Sequence, residues 1–298
     1  MQTVLVTGGS GFIGRHFCHA ATLLGWELIV LSRNPVAAKM VLPGAAQIVS
    51  NLAQISSDLA IDSIVNLAGE PLAEHRWTGH RKKQFYASRS GLTDSLYDFF
   101  CGRQSPAATL ISGSAIGYYG SGSDPRHEGS AAADGFSHQL CDSWEKSARQ
   151  FESLGTRVCM VRTGIVLGGQ GALAKMLLPF NLGLGGRIGD GRQIMSWVHI
   201  TDMVNILLHC ITDAELSGPI NATAPNPVDN KTFVQALGKI LHRPTLIPMP
   251  GLMVKLLFGE MGVELLLQGQ CVIPKKLQQS GFEFKYPTLP QALEDLLG

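Results

Sequence analysis

The sequence predicts an α/β protein in which helices cover both faces of a mostly parallel sheet. Short continuous apolar runs recur along the first two-thirds of the 298-residue chain, and such runs suit a parallel sheet that is buried on both faces. Longer stretches between them carry apolar residues at helical spacing, as in consecutive βα units. Together the two patterns indicate a doubly wound sheet.

Six apolar runs are the predicted strands. They lie at 4–6, 27–31, about 47–49, 64–68, 109–111 and 158–161. A helix is predicted after the first strand, because Ile13, Phe17, Ala20 and Leu24 recur at helical spacing. Gly25 is suited to end that helix.

The composition of the sequence changes after residue 162. Residues 164–191 are rich in glycine and are expected to form loop and short helix, with an insertion at about 168–192. Residues 197–200 predict a strand that leads into a helix, capped near Thr201 and Asp202 and ending at about Ile211. We expect a sheet-containing α/β domain over 1–224 and a small, mainly helical C-terminal domain over 225–298.

Composition excludes several classes of partner. The chain carries 24 Lys and Arg against 23 Asp and Glu, a formal net charge of +1, so neither nucleic acid nor a membrane surface is expected to bind. The six cysteines are scattered and form no C-x-x-C pair, so no disulfide framework or metal site is expected. No signal-peptide pattern or membrane-length apolar run is found, which favours a cytoplasmic protein.

A glycine-rich turn follows the first predicted strand. The segment T-G-G-S-G-F-I-G at 7–14 places Gly8, Gly11 and Gly14 between a strand and a helix. Glycines at this spacing allow a tight turn, close approach of the backbone to a pyrophosphate, and close packing of helix on strand. The N–H groups that open the helix then hold the diphosphate. The pattern predicts a Rossmann-type dinucleotide site.

The end of the second strand predicts which dinucleotide binds. An NAD site normally carries an acidic residue there, which bonds the adenosine ribose 2′-hydroxyl. This chain has Ser32 and Arg33 instead, and no carboxylate. A guanidinium can pair with a 2′-phosphate and a serine can add a hydrogen bond, so we expect NADP (NADPH) rather than NAD.

Further short motifs are spread along the whole chain. They are N-L-A-G at 66–69, S-G-S-A at 112–115, R-T-G at 162–164, S-R at 32–33 and 88–89, Y-Y-G at 118–120, W-E at 144–145, G-G at 185–186 and S-W-V-H at 196–199. With the glycine turn, they resemble the extended short-chain dehydrogenase/reductase superfamily, and more narrowly its atypical branch of epimerase family proteins. The segment from about Pro225 is similar to the small helical domain of that branch.

The resemblance implies cofactor contacts beyond the three glycines. They are Ser10, Phe12 and Ile13 in the turn, Leu67, Ala68 and the adjoining Gly69 beside the adenosine and ribose, Gln84 and Arg89 on the phosphate side, and Ile165 near the nicotinamide. Members of this superfamily often pair through helices that correspond to about 91–101 and 137–151, so the resemblance allows a homodimer.

The catalytic pattern of the superfamily is broken in this chain. Its hydride-transferring members carry a Ser or Thr after the fifth strand and a Tyr-x-x-x-Lys on the next helix, where the lysine lowers the pKa of the tyrosine. Ser114 occupies the serine position, but none of the five tyrosines has a lysine four residues later. Cys141 and Glu145 stand at the tyrosine and lysine positions, and Lys146 is one residue out of register.

Three interpretations of function remain open at this point. The chain is an NADP-dependent oxidoreductase or epimerase of unknown substrate that uses another acid or base, with Ser114 and Tyr118 as the candidate catalytic residues and Tyr119 and Glu70 as further candidates. Alternatively, it binds NADP without turnover, as a sensor or interaction module. In the third interpretation it is a lyase or dehydratase that uses its cofactor transiently.

Overall fold

The computed structural model describes residues 2–298. Along the chain the strands and helices are β1 (Thr3–Thr7), α1 (Phe12–Leu23), β2 (Glu27–Leu31), α2 (Pro35–Lys39), β3 (Gln47–Val49), β4 (Ser63–Asn66), α3 (Gly79–Tyr86), α4 (Leu92–Cys101), β5 (Thr109–Ala115), β6 (Gly122–Arg126), α5 (Phe136–Arg149), β7 (Arg157–Thr163), β8 (Ile165–Leu167), α6 (Gly171–Asn181), β9 (Ile194–Met195), β10 (Trp197–His199), α7 (Ile200–Thr212), β11 (Gly218–Ala222), β12 (Val228–Asp229), α8 (Asn230–Ile240), α9 (Gly251–Gly262), β13 (Gln270–Val272), α10 (Lys275–Gln279) and α11 (Leu289–Leu297). A π-helical turn, Ala87–Gly91, joins α3 to α4.

Seven parallel strands form the central sheet, in the order β11-β7-β5-β4-β1-β2-β3. The chain winds outward from β1 through β2 to β3, and then returns to β4 on the other side of β1. The order of the strands therefore reverses between β1 and β4, and ligands of such sheets bind in the crevice at the carboxyl ends of these strands. The doubly wound, Rossmann-type fold predicted from the sequence is confirmed.

Helices bury both faces of this sheet. Along β1, Val4 and Val6 face a core built with helices α1 and α7, whereas Leu5 faces a core built with α4 and α5. All three side chains are fully buried. This explains why the strands are continuous apolar runs, since alternate residues enter two different cores.

Most predicted elements of the first half are confirmed. The approximate third strand is β3, and α1 ends at Leu23, just before Gly25, which adopts a left-handed φ of 75°. Helix α7 continues to Thr212, one residue beyond its predicted end.

One prediction for the glycine-rich region needs correction, because this region contains a strand where only loop and short helix are predicted, whereas the strand predicted at 197–200 is confirmed. Residues 164–191 contain strand β8 and the 11-residue helix α6, as well as loop. The strand predicted at 197–200 is β10, and it pairs with β8 in a separate two-stranded sheet. This pairing depends on Gly164, because a Cβ there would lie 2.6 Å from the carbonyl oxygen of Ser196.

The C-terminal region packs against the rest of the chain at several places. Helices α8 and α11 share a core with α6 and β10, and β13 pairs with β6. Helix α9 places Met261 in an apolar cluster with Trp77, Phe85 and Leu140. The boundary between the two domains at residue 224 stays a prediction.

Two kinds of feature are absent from residues 2–298. None of the helices there combines the length and apolar character needed to cross a bilayer. The same residues hold no group of three His, Cys, Asp or Glu side chains arranged to bind a metal ion.

The glycine turn yields a test of the packing. We expect Gly14→Ala to lower the free energy of unfolding by about 1–3 kcal/mol, because its Cβ would overlap the Gly8 carbonyl oxygen and lie 2.7 Å from the Gly9 Cα. Gly79→Ala is the control, since Gly79 opens α3 and nothing lies within 4 Å of a Cβ there. Urea unfolding followed by circular dichroism measures both. Equal midpoints for the two variants would contradict the packing argument.

Candidate functional site

The glycine turn is pressed against the end of β4. Gly8 has a φ of 68°, and a Cβ there would lie 2.7 Å from both the Ala68 nitrogen and the Leu67 carbonyl carbon. Helix α1 begins after Gly11 with no side-chain cap and no acidic residue in its first turn. Its first N–H groups and the positive end of its dipole are therefore directed at the crevice between β1 and β4.

A hydrogen-bonded chain of side chains fixes this crevice. Thr7 Oγ1 donates to Asn66 Oδ1 (2.6 Å) and accepts from the Ala68 N–H (3.2 Å). Asn66 Nδ2 in turn donates to Thr93 Oγ1 (2.8 Å). The ends of β1 and β4 are thus locked together, and Leu67 and Ala68 follow directly from them as half-buried residues.

Ser32 and Arg33 lie at the end of β2, beside this crevice. Ser32 Oγ accepts a hydrogen bond from the Asn34 N–H (3.3 Å), which leaves the hydroxyl proton of Ser32 available to a ligand. The Arg33 side chain is 90% exposed, and its Nη1 lies 2.7 Å from Glu70 Oε1. The guanidinium is therefore on the surface at the position where sequence reasoning expects a 2′-phosphate.

Arg89 is built into the fold beneath the loop that follows β4. It lies in the π-helical turn, with its guanidinium 5.4 Å from the Trp144 ring centroid, and donates from Nη2 to the Glu70 carbonyl (2.9 Å). A Cβ on Gly69 would lie 2.9 Å from the Arg89 Cζ. Burial lowers the pKa of Arg89 to about 10, so it remains a cation at neutral pH. Gln84, by contrast, is exposed on α3.

Three of the remaining predicted cofactor residues, Ser10, Phe12 and Ile13, lie at the start of α1, and the fourth, Ile165, lies on β8. Ser10 is exposed at the tip of the turn, and Ile13 packs against the core. Phe12 lies under the glycine-rich segment, since a Cβ on Gly168 would come within 2.7 Å of its Cζ. Ile165 is half-buried on β8.

Ser114, at the end of β5, is hydrogen-bonded to a buried ion pair. Its Oγ donates to Glu145 Oε1 (2.8 Å). Both carboxylate oxygens of Glu145 accept from Arg162, with Nε to Oε1 at 2.7 Å and Nη2 to Oε2 at 2.8 Å, and both side chains are 2% exposed. Burial alone would lower the pKa of Arg162, but its hydrogen bonds to Glu145 and the carboxylate charge raise that pKa above the usual value.

The two neighbouring tyrosines differ in what their hydroxyls do. Tyr119 is buried, donates to Asn221 Oδ1 (2.7 Å) and accepts from Arg162 Nη1 (2.8 Å), and burial raises its pKa. Tyr118 is half-buried, with the Arg162 guanidinium 3.5 Å from its ring centroid. Its carbonyl contacts His138 Nδ1 (3.0 Å), but its hydroxyl has no hydrogen-bond partner among residues 2–298. Tyr118 therefore has the hydroxyl that is free for a ligand.

Cys141 occupies the place of the usual catalytic tyrosine, on the same face of α5 as Glu145. Its thiol lies 3.6 Å from the Ala115 carbonyl, and burial, followed by the charge of Glu145, raises its pKa to about 11. At neutral pH the thiol is protonated, so Cys141 is a poor base.

Arg162 and Asn221 are the residues of this network whose roles sequence reasoning did not anticipate. In the sequence, Arg162 stands out only as the first residue of the R-T-G motif at the end of an apolar strand. A cation inside such a run is itself a signal, because a buried guanidinium requires a partner. Its partner, Glu145, was known from its place in the motif but not from this contact.

Two protein-family models match this chain. Residues 4–222 match the model of the NAD dependent epimerase/dehydratase family. The chain belongs to the NAD dependent epimerase/dehydratase family. Residues 249–296 match a second model, described as a domain of unknown function (DUF1731). The family relationship expected from the motifs is confirmed.

Relatives within the epimerase/dehydratase family extend over the whole chain. Epimerase family protein YfhF of Bacillus subtilis is 36% identical over 99% of this chain and 98% of its own length. The chloroplastic epimerase family protein SDR39U1 homologue of Arabidopsis thaliana is 34% identical over 99% of this chain and 87% of its own. The crystal structure of human epimerase family protein SDR39U1 (isoform 2) with NADPH matches with a TM-score of 0.89 at 34% identity, covering 99% of each chain. A UDP-galactose 4-epimerase structure shares the fold, with a TM-score of 0.74 at 16% identity over 99% of this chain and 97% of its own.

The buried ion pair yields a second test. Arg162→Leu removes the buried partner of the Glu145 carboxylate and leaves only the exposed Arg149, whose Nη2 lies 3.8 Å from Oε2, so we expect it to lower the free energy of unfolding by about 3–5 kcal/mol. The double variant Glu145→Leu/Arg162→Leu removes both charges and should be more stable than the single variant. Urea unfolding at neutral pH compares the three proteins. A double variant that is less stable than Arg162→Leu would show that the pair is not the main source of the loss.

Proposed function

We propose that the chain is an NADPH-dependent oxidoreductase or epimerase in which Tyr118, together with the retained Ser114, takes the role of the missing Tyr-x-x-x-Lys pair. The observation that carries the proposal is the placement of three groups along one edge of the sheet. The uncapped start of α1, the exposed guanidinium of Arg33 and the hydroxyl of Ser114 all follow the carboxyl ends of parallel strands. Cofactor and substrate sites of such sheets lie at this edge.

The residues at this edge fit NADPH. The free N–H groups of α1 suit a pyrophosphate, and the glycines leave no room for a side chain between the turn and β4. Arg33 and the hydroxyl proton of Ser32 suit a 2′-phosphate. The structure of the 34% identical human relative with NADPH supports the same assignment.

The chain's own residues divide the proton chemistry between two hydroxyls. When bound, NADPH supplies the hydride that reduces a carbonyl carbon. The Ser114 hydroxyl already donates its hydrogen bond to Glu145. Ser114 can therefore act toward a substrate hydroxyl only as a hydrogen-bond acceptor. Tyr118, whose hydroxyl is free, donates the proton that a carbonyl oxygen needs on reduction. In an epimerase the cofactor would have to be present as NADP⁺ to take up the substrate hydride, and Tyr118 would carry the proton of the substrate hydroxyl away during oxidation and return it during reduction.

A second candidate function is NADPH binding without turnover. The observation that favours it is the loss of both usual catalytic groups. Cys141 is a protonated, buried thiol, and the charge at position 145 is an anion neutralised by Arg162. A protein built as a sensor would need the cofactor site and could lose the catalytic pair.

Cofactor choice is tested by calorimetry with NADPH and NADH. We expect Arg33→Ala to weaken NADPH binding by about 10- to 100-fold, since a hydrogen bond to a charged group contributes about 1.5–3 kcal/mol. NADH binding should change little. Arg243→Ala is the control, because Arg243 is also exposed but lies beyond α8. Equal affinities for the two nucleotides, unchanged by Arg33→Ala, would refute the preference for NADPH.

Turnover separates the two candidate functions. NADPH oxidation is followed by absorbance against a panel of carbonyl compounds and nucleotide sugars. With an active substrate, Ser114→Ala and Tyr118→Phe should each lower kcat by about 10²- to 10⁴-fold, as loss of an acid or base does, while NADPH affinity stays within a few-fold. Tight NADPH binding with no turnover of any compound would favour the non-catalytic function.

A further inference from the structure

We propose that Glu70 sets the strength of 2′-phosphate binding by competing with the phosphate for Arg33. The inference rests on the proposed NADPH function and adds a specificity-determining residue to it. Its starting point is the ion pair between Arg33 Nη1 and Glu70 Oε1, at 2.7 Å. This pair uses the one exposed guanidinium that stands at the end of β2.

The two partners of this pair differ in how firmly they are held. The Arg33 side chain is 90% exposed, and among residues 2–298 Glu70 is its only hydrogen-bond partner. The Glu70 side chain is 27% exposed, and its backbone is fixed at both ends. Its N–H donates to Ser88 Oγ (3.0 Å), and its carbonyl accepts from Arg89 Nη2 (2.9 Å).

The support beneath Glu70 is itself rigid. Ser88 and Arg89 both belong to the π-helical turn, a distortion that is frequent at functional sites. Arg89 is buried against Trp144, and its guanidinium packs directly on Gly69. Glu70 is therefore fixed at the edge of the crevice, whereas Arg33 is free to exchange one anionic partner for another.

This asymmetry has an electrostatic consequence. A 2′-phosphate that approaches Arg33 must displace the Glu70 carboxylate, and afterwards it remains close to that fixed negative charge. Both effects oppose the attraction between the guanidinium and the phosphate. For a dinucleotide without the phosphate neither effect arises, and the carboxylate can accept a hydrogen bond from the free 2′-hydroxyl. With Glu70 present, the difference in affinity between NADPH and NADH is therefore smaller than Arg33 alone would make it.

Neutralising Glu70 tests the inference. Glu70→Gln keeps the shape and the main-chain hydrogen bonds of the residue. We expect it to tighten NADPH binding by about three- to tenfold, in line with the modest strength of exposed ion pairs plus the removal of like-charge repulsion. NADH binding should stay the same or weaken. Glu260→Gln is the matched control, because the Lys82–Glu260 pair is also exposed and also 2.7 Å long. Calorimetry at low and at moderate salt gives the dissociation constants.

Two further measurements identify the source of the effect. Adenosine 2′,5′-bisphosphate and ADP differ in the 2′-phosphate, so Glu70→Gln should tighten binding of the first probe and leave the second unchanged. In an Arg33→Ala background the gain in NADPH affinity from Glu70→Gln should shrink, because no guanidinium is left to release.

Weaker NADPH binding by Glu70→Gln would mean that Glu70 orients Arg33 for the phosphate, and unchanged binding would mean that it does not compete; either result overturns the inference. If the wild-type chain binds NADPH but Glu70→Gln behaves as wild type, only this inference fails. If wild type binds none of these nucleotides, the proposed function fails and the inference fails with it.

Discussion

The buried ion pair between Glu145 and Arg162 is the interaction on which the Ser114 end of the cleft depends. It joins helix α5 to strand β7, and it holds Ser114 of β5 through the carboxylate and Tyr119 through the guanidinium. Removing two charges from water costs several kcal/mol per ion, so such a pair persists only where its polar atoms are well satisfied. Here both carboxylate oxygens of Glu145 accept from Arg162, Ser114 donates to the carboxylate, and Tyr119 accepts from the guanidinium. Loss of one of these side chains would leave polar atoms of the others buried without that hydrogen bond.

This pair also changes the electrostatics of the usual active site. In the Tyr-x-x-x-Lys pattern, a cation on the helix stabilises a phenolate beside the cofactor. In this chain the helix contributes an anion at position 145, and the sheet supplies the cation that neutralises it. Lys146, next in sequence, is 74% exposed and pairs with Asp142 at 2.7 Å, so it does not restore the missing charge. Under the proposed function, proton transfer therefore falls to neutral hydroxyl groups, of which Ser114 is bonded directly to the pair.

The fold and the cofactor edge were predictable because their determinants are local. Between Thr7 and Gly14 the turn, the packing glycines and the start of α1 are all encoded within eight consecutive residues. The pairing of β8 with β10 could not be predicted in the same way, since Ile165 meets Trp197 only after the chain has passed through α6 and a long loop. The bonds that Arg162 makes to Glu145 and Tyr119 likewise depend on three segments meeting in space. Sequence spacing shows that Glu145 stands where the superfamily has its lysine, but it does not show that Arg162 neutralises the Glu145 charge.

The two ion pairs of the cleft show how burial decides what a charge can do. Glu145 and Arg162 are each 2% exposed, so neither can exchange its partner for water or ligand without a large desolvation cost, and their pair is a permanent part of the structure. Arg33 is 90% exposed and its ion pair with Glu70 contributes little, so that pair is easily exchanged. Permanence suits the residues that position a hydroxyl for proton transfer. Exchange suits a guanidinium that must release one anion to bind another. The same kind of contact therefore stabilises the structure at one end of the crevice and, under the proposed competition for Arg33, sets selectivity at the other; solvent exposure is the variable that separates the two pairs.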